Sequence, residues 1–103
     1  MTNEVRERIG FTALEHVSEE RTEQIKLWGN QDHHSNEEFL AILMEEVGEA
    51  AQEVNDLRER ERDMSASPAR VHYESLYEEL IQVAAVAVAH AEAVRVFIFQ
   101  MEN

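Results

Sequence analysis

Leu80-Ile81-Gln82-Val83-Ala84-Ala85-Val86-Ala87-Val88-Ala89 decides the fold. Wound as a helix, this run is apolar nearly all round, with Gln82 as its one interruption. A helix of that composition is buried on more than one side. The unbroken apolar part, Val83 to Ala89, is far short of the ~20 residues that span a bilayer. The run therefore predicts a core helix. Two other helices from one chain can hardly cover it, so a second subunit is expected against it.

Punctuation on either side sets the remaining elements. Upstream, Ser67 suits an N-cap and Pro68 the first helical position, so the third helix is expected from Pro68 to about Met101. Asp63 to Ser67 is the linker before it. The second helix is expected from Asn36 to about Arg62. Ser35 and Glu38 have the S-x-x-E spacing of a capping box, and Leu40, Leu43, Val47, Ala50, Val54 and Leu57 make one apolar stripe. Asn30 to His34 reads as a polar loop. The first helix is expected from about Glu4 to Leu27, with Val5, Ile9, Leu14, Val17 and Ile25 as its apolar positions and Gly29 as its stop. No stretch makes a case for a strand. The expectation is an all-α fold of three main helices in a single domain, residues 1–103.

Composition narrows the function. A net charge of -13 excludes a nucleic-acid polymer as partner, because such binding needs a basic patch. There is no cysteine, which excludes disulfides, thiolate metal sites and cysteine nucleophiles and fits a reducing cytoplasm. Met1 to Gly10 is charged and has no apolar signal-peptide core. A cytoplasmic protein with no membrane partner is expected.

Two segments repeat one pattern. Leu43 to Ala50 reads LMEEVGEA, and Leu76 to Val83 reads LYEELIQV. At ~100° per residue both place their polar groups alike relative to the apolar stripe. Glu46 and Glu49 lie along one edge of the second helix, and Glu79 and Gln82 take the same places on the third. If the two helices pack antiparallel, the four side chains converge. Facing carboxylates beside a core repel one another and are costly to desolvate. A hard divalent cation such as Mg²⁺ relieves both problems and bridges to phosphates. The competing reading is that such acids face solvent, as most do in an acidic chain. A di-iron carboxylate bundle needs E-x-x-H on its helices, and no histidine here has Glu three residues before it.

These residues resemble the signature of the all-α nucleotide pyrophosphohydrolases, the MazG-like proteins, which carry E-E-x-x-E on one helix and E-x-x-D on a later one. Glu45, Glu46 and Glu49 complete the first half. The second half reads Glu79-Leu80-Ile81-Gln82, with glutamine in place of aspartate. Gln24 to His33, QIKLWGNQDH, is similar to the K-W-G-x-Q-x-H run of small phage and bacterial members. The resemblance covers about Glu20 to Ala93. It implies a homo-oligomer, dimer or tetramer, with a four-helix-bundle core. It also implies hydrolysis of a nucleoside triphosphate to a monophosphate and pyrophosphate, in the service of nucleotide-pool housekeeping. Mapped onto this chain, Glu46, Glu49 and Glu79 would hold Mg²⁺, with Mn²⁺ a possible substitute. Glu45 would be a further ligand or would orient the attacking water, making four catalytic glutamates. Gln82 offers a metal only an uncharged carbonyl oxygen. That substitution leaves open a second reading, a regulatory module that binds nucleotide or metal with weakened catalysis.

Other residues divide between substrate and structure. Trp28 would stack on a base or anchor a helix end, and Lys26 would meet a phosphate or stay in solvent. Gln31 and His33 lie in the loop, where recognition groups often sit. His90 would contact substrate or be a hydrogen-bonded core histidine. Tyr73 and Tyr77 read as packing. Arg58, Arg60, Arg62 and Arg70 suit phosphate, or the favourable end of a helix dipole.

Overall fold

A computed structural model describes residues 1–63 and 70–102. Three helices account for most of them: α1, Asn3–Trp28; α2, Asn36–Arg62; and α3, Arg70–Met101. There is no strand among the described residues. Of the expected linker, Asp63 is the C-cap of α2; the remainder, with the capping pair Ser67 and Pro68, lies outside the described residues.

Helix α1 ends at Gly29, whose N–H bonds the Ile25 carbonyl at 2.8 Å. Gly29 has φ 71° and ψ -166°. The positive φ agrees with a glycine stop. The extended ψ, however, belongs to a region open almost only to glycine rather than to the left-handed helical well. A Cβ built there would meet nothing within 4 Å. The cost of Gly29→Ala is therefore conformational alone. We expect about 1–3 kcal/mol of destabilisation, read as a lower denaturant midpoint at unchanged slope. An unchanged midpoint would mean that the turn relaxes freely.

Helix α2 starts with the expected capping box. Glu38 N–H bonds Ser35 Oγ at 3.0 Å, and Ser35 N–H reaches back to Glu38 Oε1. His34, just before the cap, sets its ring edge-on to Phe39, centroids 5.3 Å apart. This pair fills the positions of a hydrophobic staple and fixes the angle at which the chain enters α2.

Helices α2 and α3 pack antiparallel. Asn36 and Phe39 meet His90 at one end, Glu46 and Glu49 meet Glu79 midway, and Glu61 meets Tyr73 at the other. Helix α1 packs on α3, through His16 to Tyr77 and Arg21 to Glu92. Its N-terminal half projects, with Val5, Ile9, Phe11 and Leu14 all exposed. The molecule is correspondingly long, 61 × 34 × 22 Å.

The stripe expected on α2 divides into two seams. Phe39, Leu43, Ala50 and Leu57 are buried or half-buried, and Glu46 and Glu53 occupy the intervening half-buried positions. Leu40, Met44, Val47, Ala51 and Val54, alternately four and three residues apart, form a second seam that is exposed. Helix α3 has a matching exposed row in Leu80, Ala87, Ala91 and Val94, with Ala84 half-buried between them.

The expectation that no segment is long and apolar enough for a membrane needs correction. Helix α3, at 32 residues, is long and apolar enough to cross one by length and composition. Counting only the unbroken run missed this. Isolated polar residues such as His90 interrupt the run without lowering the average over a whole span.

Candidate metal centre

The antiparallel register of α2 and α3 brings the repeated motifs together. Glu46, Glu49 and Glu79 each offer a carboxylate oxygen, and these oxygens lie within 4.8 Å of one another. Glu46 and Glu49 project from α2 nearly one turn apart, and Glu79 projects from the facing turn of α3. Glu46 sits within the buried seam, where a hydrophobic residue would ordinarily pack, and Glu79 is also half-buried, while Glu49 is exposed.

Both half-buried carboxyls are pushed above the ordinary carboxylate range. For Glu46 the main cause is burial, followed by the charges of Glu49, Glu45 and Glu20. For Glu79 it is burial, followed by the adjacent Glu49 carboxyl and the charges of Glu46 and Glu53. Glu79 Oε2 is fully buried and has no hydrogen-bond partner among the described residues. An acceptor buried without a donor is costly. A cation supplies what a donor would. An all-carboxylate oxygen set suits a hard divalent ion, and Mg²⁺ or Mn²⁺ fits it better than a softer metal.

Glu45 is exposed, adding its charge to Glu46 but no oxygen to the triad. Gln82 is half-buried and lines two cavities, one of which Glu46 also lines. The sequence reading missed Glu20 and Glu53. Glu53 lies two turns beyond Glu46 on the same seam, a spacing that could have revealed it. Glu20 stands on α1 outside any repeat, and no sequence signal marks it.

The two cavities differ in character. The larger, about 500 Å³, is an open groove between α1 and α3, walled by Glu19, Glu20, Glu23, Glu74 and Glu78. So many carboxylates repel a phosphate chain. The smaller, about 150 Å³, has Glu46 on its rim and is lined by Trp28, Phe39, Val86, Gln24 and Gln31. It combines an apolar body with a few polar groups, the usual character of a small-molecule site.

The remaining expected residues are placed as follows. Trp28 and Gln31 line the smaller cavity. Lys26 stays on the surface beside Glu23, and His33 is exposed against the ring of His34. His90 stacks on Phe39, centroids 4.7 Å apart, and its Nε2 meets Asn36 Oδ1 at 2.8 Å. That pairing ties it to the start of α2. Tyr77 packs edge-on against His16, and its hydroxyl meets His16 Nδ1 at 2.7 Å.

No protein-family model, no curated protein and no solved structure matches the chain.

Proposed function

We propose that this chain is a Mg²⁺-dependent nucleoside triphosphate pyrophosphohydrolase of the MazG-like kind, acting as a cytoplasmic homo-oligomer. The observation that carries the reading is the convergence of Glu46, Glu49 and Glu79, with a buried, partnerless oxygen on Glu79, beside an aromatic-lined cavity that Glu46 also lines. A carboxylate cluster beside a largely apolar cavity suits a ligand with a charged end and a flat end.

When bound, the ion neutralises phosphate charge and makes the α-phosphorus more electrophilic. The protein's part is positioning. Glu46, Glu49 and Glu79 hold the reacting end at the rim, while Trp28 and Phe39 line the space for the ring. Glu45, next to Glu46 in sequence and exposed, is the residue to which the resemblance would give the orienting of a water. That water's oxygen bonds to the α-phosphorus as its proton passes to a neighbouring carboxylate, the bond from there to the bridging oxygen breaks, and pyrophosphate leaves. Reactions of this kind depend mainly on positioning and electrostatics.

The same proposal includes the second subunit. The exposed seam of α2 has the four-three spacing that packs helices knobs-into-holes, and the alanine-rich row on α3 allows close approach. Two copies joined through these faces make a four-helix core of α2 and α3 from each. That arrangement also covers the apolar face of α3 without lipid. Sedimentation at micromolar concentration is expected to give a dimer or a tetramer of it, and Val47→Glu is expected to shift the protein towards monomer. A folded wild-type monomer would exclude the arrangement.

The direct test of the activity is a pyrophosphate-release screen over nucleoside triphosphates with Mg²⁺ and with Mn²⁺. Turnover that disappears with chelator supports the enzyme. Gln82, where the resembling family has aspartate, favours a second reading: a module that binds nucleotide or metal with weakened catalysis. Metal-dependent nucleotide binding without pyrophosphate release would select it.

A further inference from the structure

Arg21 and Gln24 lie one turn apart on α1 and are the buried polar side chains among the described residues, 8% and 6% exposed. Arg21 is committed on every side. Its Nη2 donates to Glu92 Oε2 at 2.7 Å and its Nε to Glu92 Oε1 at 3.4 Å. Its Nη1 donates to Gln24 Oε1 at 2.8 Å. A guanidinium only donates, so the atom it meets must be oxygen. The Gln24 amide is thereby oriented by its partner: oxygen towards Arg21, nitrogen away.

That nitrogen meets no acceptor among the described residues, and it is not one of the polar atoms sealed from open space. Gln24 lines the smaller cavity with Trp28 and Phe39. The cavity, at about 150 Å³, falls below the size that encloses a whole ligand and suits one flat ring, with the rest of the molecule outside. Glu46 on its rim sets the direction in which that rest leads. An N–H pair that is oriented by Arg21 and left open beside a cavity is free to donate to an acceptor that a ligand brings.

We infer that Gln24, clamped by Arg21 and Glu92, is a specificity-determining residue: the cavity takes a heterocyclic ring that presents a carbonyl oxygen to the amide, a keto base, and disfavours its amino counterpart. The inference rests on the nucleotide reading above and adds to it the class of ring. Arg21 is a positioning residue that acts through Gln24.

The test compares the α,β-imido analogues of UTP and CTP, which differ along one ring edge: carbonyl against amino at C4, and N–H against bare nitrogen at N3. Binding is measured with Mg²⁺ by calorimetry and by the fluorescence of Trp28, the one tryptophan of the chain. The uridine analogue is expected to bind at least about tenfold tighter, since the cytidine amino group would face a donor and leave both unpaired. Gln24→Glu is expected to reverse the order. Its carboxylate still gives Arg21 an oxygen, so the fold is kept, but the other oxygen can only accept. Arg21→Met is expected to bring the two affinities within about threefold, because the freed amide turns to suit either ring. A merely structural role for Gln24 would weaken both ligands together and reverse nothing. Equal binding of the two analogues to the wild type, or a uridine preference that survives Gln24→Glu, overturns the inference and leaves the hydrolase reading standing. Failure of either analogue to bind, with Mg²⁺ present, overturns both.

Discussion

Glu79→Gln is expected to raise the melting temperature of the metal-free protein, remove its response to Mg²⁺ and lower turnover by at least about 100-fold. The size of the activity loss follows from what metal sites tolerate: removing a group that merely supports a ligand already costs about 10–100-fold. The stability gain follows from electrostatics. Glu79 is held above the ordinary carboxylate range by burial and by its carboxylate neighbours. A group whose folded pKa is raised contributes stability that is fully present below its unfolded pKa and is lost as pH rises through the folded one. Glu46 acts in the same direction, again chiefly through burial. Metal-free wild type should therefore lose stability as pH rises from the ordinary carboxylate range through the raised values of these two groups.

Glutamine at 79 removes one charge from that balance but leaves a polar atom in the buried position of Oε2. The expected gain is accordingly modest, about 1 kcal/mol, or roughly 4 °C for a domain of this size. With Mg²⁺ present the pH trend of the wild type should reverse, since the ion must displace protons from the same carboxylates and binds more weakly as pH falls. Thermal melts from pH 4 to pH 8, with and without the ion, contain every part of this result. Glu4→Gln, at the exposed start of α1, is the control. The chain has 22 acidic residues, so a divalent ion also stabilises by general screening. An equal Mg²⁺ response in Glu79→Gln and Glu4→Gln would assign the whole effect to screening and dissolve the site.

The triad was legible in the sequence because its two halves repeat. LMEEVGEA and LYEELIQV put their acids at one register, and antiparallel packing makes that register converge. Helix ends were legible where a single residue type decides them: Gly29 stops α1, and Ser35 with Glu38 starts α2. What stayed hidden has a common physical reason. Glu46 and Glu53 occupy half-buried positions of the inner seam, so a reading by hydropathy breaks that seam of α2 at its carboxylates. It then gathers Leu40, Val47 and Val54 into the same stripe, although these lie on the exposed side. Arg21 and Gln24 were hidden for the same reason. Polar side chains read as surface unless their partners are known, and Glu92, the partner of Arg21, lies 71 residues away.

Phe39→Ala is expected to destabilise the protein by about 3–5 kcal/mol, the usual range for emptying a buried aromatic position. Phe39 is 2% exposed and has a neighbour on each side: His34 edge-on and His90 stacked at an interplanar angle of 12°. Three connections therefore depend on one ring. It completes the staple that starts α2, it seats α3 against α2 through His90, and it lines the smaller cavity. Against a total stability of about 5–15 kcal/mol for an ordinary domain, the loss leaves little. Phe39→Leu keeps most of the apolar volume and forfeits the two ring contacts, each worth about 0.5–1.5 kcal/mol beyond the area they cover. It should fall well short of the alanine variant. The pair of substitutions separates the two contributions. Denaturant midpoints at unchanged slope give the energies, and the tryptophan fluorescence of Trp28 in the folded state reports on the cavity. If the alanine variant lost less than about 1 kcal/mol, the ring would not be the joint between α2 and α3. The register that brings Glu46, Glu49 and Glu79 together would then have to be set further along the seam, by Ala50 and Leu57 against the buried face of α3.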